Sequence, residues 1–212
     1  MILMLNKLSV LCLIALGCAA FVAPPAAAAD RLNLLMMAED ADAHSLHVHY
    51  SPTAKYSVGY KGEYWRKDDW QFHGLQLNYL AKRWNQKASQ ANVYVKTAAG
   101  LSIDSDGNTA PAAYTGIAAD WENRRFFTSY ANRITTSGEE SFFMQKARVG
   151  IAPYIGDYGD LHTWLMFQVD HRPEQQNHFR YTPMVRLFKG PTLAEFGIST
   201  DGDVLANLVI RF

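Results

Sequence analysis

From residue 54 onward the chain is written in period two, and that rhythm restricts its folds more than any other feature. Tyr56, Val58, Tyr60 and Tyr64 alternate with Lys55, Ser57, Lys61 and Glu63. Leu75, Leu77 and Tyr79 alternate with Gln76 and Asn78, and Val93, Val95 and Leu101 with Tyr94, Lys96 and Gly100. The pattern returns in Ala147, Val149 and Ile151 against Lys146 and Arg148, and in Leu165, Phe167 and Val169 against Gln168 and Asp170. Residues i and i+2 share a face of an extended strand, so each segment carries one apolar and one polar face. The spacing predicts ten strands, over 54–65, 70–83, 91–103, 112–122, 125–134, 142–155, 161–170, 179–188, 193–199 and 203–212. The ninth is short, and Glu122-Asn123-Arg124-Arg125 reads as either a turn or a bulge, so eight strands is the alternative.

The last strand is the most regular. Phe212, Ile210, Leu208, Ala206 and Val204 form an apolar face, with Asn207 and Arg211 on the other. A segment greasy on one side and wet on the other suits a wall between lipid and a polar lumen. It resembles the closing strand of small Gram-negative outer-membrane β-barrel proteins. That resemblance implies an all-β fold, a closed antiparallel up-and-down transmembrane β-barrel over residues 54–212. It also implies that Phe212, Ile210 and Leu208 belong to the signal read by the barrel-assembly machinery. Lipid and lipopolysaccharide of the outer membrane are the expected surroundings.

The N-terminus agrees with export. Lys7, the apolar run from Leu8 to Val22 and Ala26-Ala27-Ala28-Ala29 have the layout of a signal peptide over 1–29. A lipoprotein signal on Cys18 is the alternative, although Ala15 stands where that motif prefers Leu. Cys12 and Cys18 both lie in this segment, which leaves the mature chain without thiol chemistry. Twenty Lys and Arg balance twenty Asp and Glu, so no global field recruits nucleic acid. Residues 30–53 read as a periplasmic lead-in. Trp65, Trp70, Trp84, Trp121, Tyr50, Tyr64, Tyr154 and Tyr158 fall near strand ends and suggest the aromatic girdles of a membrane barrel.

The sharpest local constellation is His44-Ser45-Leu46-His47-Val48-His49. His47 and His49 share a strand face and can hold Cu²⁺ or Zn²⁺, with His44 approaching from a flanking turn. This would make a metal-handling barrel with its site at the periplasmic entrance. Histidines 73, 162, 171 and 178 are scattered, and no Ser lies at hydrolase spacing from a His and an acid. A lipid-modifying enzyme therefore has no motif behind it. Lys61, Glu63, Lys96, Asp120, Lys146, Arg148, Asp170, Arg186 and Arg211 fall on the polar faces. Inside a narrow barrel such groups must pair, so they predict a lumen network. The expected role is non-enzymatic, a structural or interaction function or a narrow solute passage. A soluble lipocalin-like barrel is the structural rival, and it would reverse every face.

Overall fold

The computed structural model describes the backbone of Leu32–Glu39 and residues 42–138, 140–157 and 159–211. The segment 1–29 expected to be a signal, Phe212 and Tyr158 lie outside the described residues. The regular structure is all strand: β1 Leu32–Glu39, β2 Ala43–Ser51, β3 Tyr56–Trp65, β4 Trp70–Asn85, β5 Ser89–Ile103, β6 Thr109–Asn123, β7 Phe126–Ser137, β8 Glu140–Ile151, β9 His162–His171, β10 Phe179–Lys189, β11 Thr192–Ile198 and β12 Val204–Arg211. Every strand pairs antiparallel with its neighbours in sequence. β1 also pairs with β12, from Leu34 opposite Arg211 to Glu39 opposite Ala206, which closes the sheet.

Among the described residues there are twelve strands, where ten, or eight, were expected. The reading of 30–53 as a lead-in is corrected, because 32–39 and 43–51 are wall strands. Leu34, Leu35, Met36 and Met37 run together without alternation, so the first strand carries no period-two signal. The β6–β7 break is a turn: the Asn123 side-chain oxygen accepts the N–H groups of Arg125 (2.7 Å) and Phe126 (2.6 Å). A bulge occurs instead in β4, between Leu80 and Lys82. In the β2–β3 pair a Cβ on Gly59 would lie 2.0 Å from the Val48 carbonyl oxygen, so only glycine admits the β2 backbone there.

Simple up-and-down order sorts the connections. Those after odd-numbered strands (Asp42, 66–69, 104–108, Gly138, 172–178 and 199–203 among the described residues) lie at one end, here the loop end. The remaining connections and both chain ends of the barrel lie at the other, the termini end. At the loop end Asp104 ties its own turn by accepting the N–H groups of Asp106 and Asn108, each at 2.9 Å.

Burial runs opposite to that of a water-soluble protein. Leu75 is 65% exposed and Ile198 62%, while Glu195 is 2% exposed. Val95, Leu101, Ile117, Val149, Leu165, Phe167 and Phe196 also stand on the outer face, and Gln168, Arg180 and Glu63 are buried inside. The lipocalin-like arrangement is excluded by this order. Two small apolar clusters sit within: Phe72, Ala98, Ala112 and Tyr114, and Met166, Met184 and Leu205.

Candidate functional site: the barrel interior

The interior has three levels. At the loop end Asp42, just before β2, is buried beneath cations from three other segments. Arg180, at the start of β10, reaches it at 2.5 and 3.1 Å; Arg172 of the β9–β10 connection lies at 3.0 Å and Lys67 of the β3–β4 connection at 3.3 Å. Arg180 also bridges to Asp201 at 3.0 Å. Burial would raise the Asp42 carboxyl, but the Arg180 hydrogen bonds and the charges of Arg172, Arg180 and Lys67 outweigh it. Asp42 is thereby held below the ordinary carboxylate range.

Arg172 also lies over the Trp65 ring at 4.4 Å. Trp65 packs edge-on against Trp70 and against Phe142 from β8. Trp65 and Trp70 thus leave the girdle expected from sequence: Trp65 is buried, and both turn inward to close the mouth. Trp84, Trp121, Tyr50 and Tyr154 do stand exposed.

Below the mouth, polar groups link opposite walls. Arg133 of β7 makes a bidentate bridge to Glu63 of β3, at 2.8 and 3.0 Å, and lies over Tyr114 at 4.5 Å. Lys61 (3.4 Å) and the Trp65 ring N–H (3.3 Å) complete the Glu63 shell. On the far wall Glu195 accepts from Arg186 (2.7 Å), Arg148 (3.2 Å) and Asn207 (2.7 Å). Arg148 continues to Gln168, Gln168 to Asp170, and Asp170 to Lys146 at 3.4 Å. Asp120 accepts from Asn92 at 2.8 Å. Lys96 stands apart, exposed to the lumen with no ion-pair partner among the described residues.

The histidine motif divides. His47 and His49 face the lumen midway along β2, with ring centroids 4.6 Å apart. His44 is on the opposite face, near the loop end, stacked on Tyr64 at 6.2 Å. The proposed three-histidine set at the periplasmic entrance is corrected on both counts: alternation separates His44, and the remaining pair sits in the wall. No group of three His, Cys, Asp or Glu able to hold a metal occurs among the described residues.

At the termini end the lumen widens into a vestibule of about 400 Å³, lined by residues including Gln90, Glu122, His162, Trp164, Arg186 and Arg211. Leu208 and Ile210 lie on the outer face of β12, in phase with exposed Val204.

Asp42, Arg133, Arg172 and Arg180 were not singled out in the sequence. Arg133 and Arg180 share phase with buried Thr135 and with Thr182 and Arg186, which was signal enough. Asp42 and Arg172 lie outside strands, where alternation gives no direction.

No family model matches the chain, and no curated protein does. Solved structures match its fold. The KdgM porin in complex with disordered oligogalacturonate matches at 6% identity over 85% of this chain and 98% of that one, TM-score 0.51. LpxR from Salmonella typhimurium matches at 10% identity over 86% and 99%, TM-score 0.46. Pseudomonas aeruginosa OccK8 (OprE) matches at 7% identity over 84% and 62%, TM-score 0.44. The chain is similar to outer-membrane β-barrels in fold.

Proposed function

We propose that this chain is an exported barrel of a Gram-negative outer membrane, non-enzymatic, forming a narrow passage for small polar solutes that is shut at the loop end. The observation that carries the reading is the exchange of inside and outside: a largely apolar exterior, broken by a few polar groups such as His73, Asn132 and Gln145, around an ionic interior. In water that exterior would be costly, whereas acyl chains solvate it, and closure leaves no backbone edge unpaired. Strands of ten to twelve residues, tilted, match the roughly 25 Å apolar band of such walls.

A passage is favoured over a solid peg by the vestibule and by the lumen-exposed side chain of Lys96. With both barrel ends of the chain on the periplasmic side, the Asp42 and Trp65 closure faces outward from the cell. The signal-like pattern of 1–29 and the outward apolar face of Leu208 and Ile210 support export and assembly, with the barrel-assembly machinery and lipopolysaccharide as partners.

Conductance across planar bilayers tests this reading. Refolded protein is expected to give small, infrequent openings, and Asp42→Asn to open more often. A wild type and an Asp42→Asn variant that both refold yet never conduct would sink the passage and leave only a structural wall.

A further inference from the structure

We infer that the middle of the lumen contains an anion subsite, built from His47, His49, Lys61 and Lys96, that takes small carboxylates. It rests on the passage reading and names the solute class.

All four groups present nitrogen to one region. His47 and Lys61 are directly opposite in the β2–β3 register, and His49 lies two residues along the same face. Lys96 faces the lumen in phase with buried Asn92, Ala98 and Ser102. Ala98, two residues beyond Lys96 on that face, stands in one row of the sheet with Gln76, Gly59 and His49. Two features remain unexplained by the protein alone. First, His47 Nε2 and His49 Nδ1 are buried without a hydrogen-bond partner, and His47 is 5% exposed overall. Buried ring nitrogens without partners are costly, and native interiors seldom tolerate two together. Second, Lys96 has no ion-pair partner among the described residues, although every lumen carboxylate of the Glu63, Asp170 and Glu195 clusters is already bridged.

A carboxylate resolves both. Its two oxygens accept several hydrogen bonds, so it can bridge the Lys96 ammonium and an imidazole N–H while leaving the Glu63 bridge intact. A metal cation would satisfy the imidazoles but would sit beside two ammonium groups, with no third ligand from His, Cys, Asp or Glu among the described residues. The charge of the surroundings decides for the anion.

The test combines two measurements on the folded full barrel. Citrate, titrated calorimetrically into detergent-solubilised protein, is expected to bind, and Lys96→Gln to weaken it about tenfold or more. Lys96 is lumen-exposed, so this variant keeps the packing; a His47→Gln/His49→Gln double variant supplies a second loss of affinity. In a KCl gradient across a bilayer, the wild-type reversal potential is expected to lean toward chloride, and Lys96→Gln to remove the lean. Citrate binding without conductance would uphold the subsite and overturn the passage. Conductance without citrate binding or chloride preference would do the reverse. Tight Zn²⁺ or Cu²⁺ binding that disappears in the histidine double variant, with no citrate binding, would replace the anion by a metal.

Discussion

The two ends of the barrel are built on opposite economies of charge. At the loop end one buried carboxylate, Asp42, gathers Arg172, Arg180 and Lys67, and Arg172 stacks on Trp65, so segments from around the rim converge on the axis. At the termini end Arg211, Glu122 and His162 line open space of about 400 Å³ without drawing it shut. The difference teaches that charged residues in a lumen do not by themselves make a seal. A seal needs an anchor whose loss leaves several partners uncompensated, and only the loop end has one.

That contrast is easiest to break at the anchor. Asp42→Ala should destabilise the refolded barrel by about 3 kcal/mol, because it strands buried cations, and should raise the open probability at the same time. Urea unfolding monitored by tryptophan fluorescence, alongside bilayer recordings, reads both; a variant as stable and as closed as wild type would remove the anchor. Acid should do the same work more gently. The Asp42 carboxyl is depressed below its unfolded value, so its stabilisation is present above the ordinary carboxylate range and is lost as pH falls through the folded value. Openings of the wild type are expected to increase below about pH 4, with Asp42→Asn insensitive over the same interval. The smallest effect belongs to the other end. Arg211→Gln is expected to change stability by less than about 0.5 kcal/mol and to leave gating unaltered, since Arg211 is exposed at the vestibule. A large shift in unfolding midpoint would show a hidden lock there.

Most of the wall could be read in the chain because a strand in such a barrel must separate its two faces at every step. Ten of the twelve described strands, β3 to β12, are legible in this way. β1 is not, since Leu34 to Met37 is apolar without interruption; β2 alternates as well (Leu46, Val48 and Tyr50 against Ser45, His47 and His49), but its three histidines fit a metal-ligand motif equally well. Phase likewise put Glu63, Arg148 and Arg186 on the polar faces, but it says nothing about who meets whom. Arg133 and Glu63 are seventy positions apart and are joined only by the curvature of the closed sheet. The aromatic girdle failed at Trp65 and Trp70 for the same reason: proximity to a strand end does not reveal which way a ring turns.

The bond from Asp42 to Arg180 joins positions 138 apart, and Asp42 sits beside the seam where β1 meets β12. The two ends of that bond therefore meet only after β1 has paired with β12. If the barrel conducts as proposed, stopper and seam are completed in one event, so an incompletely zipped cylinder is also an unstoppered one, and leakiness becomes a direct readout of unfinished assembly.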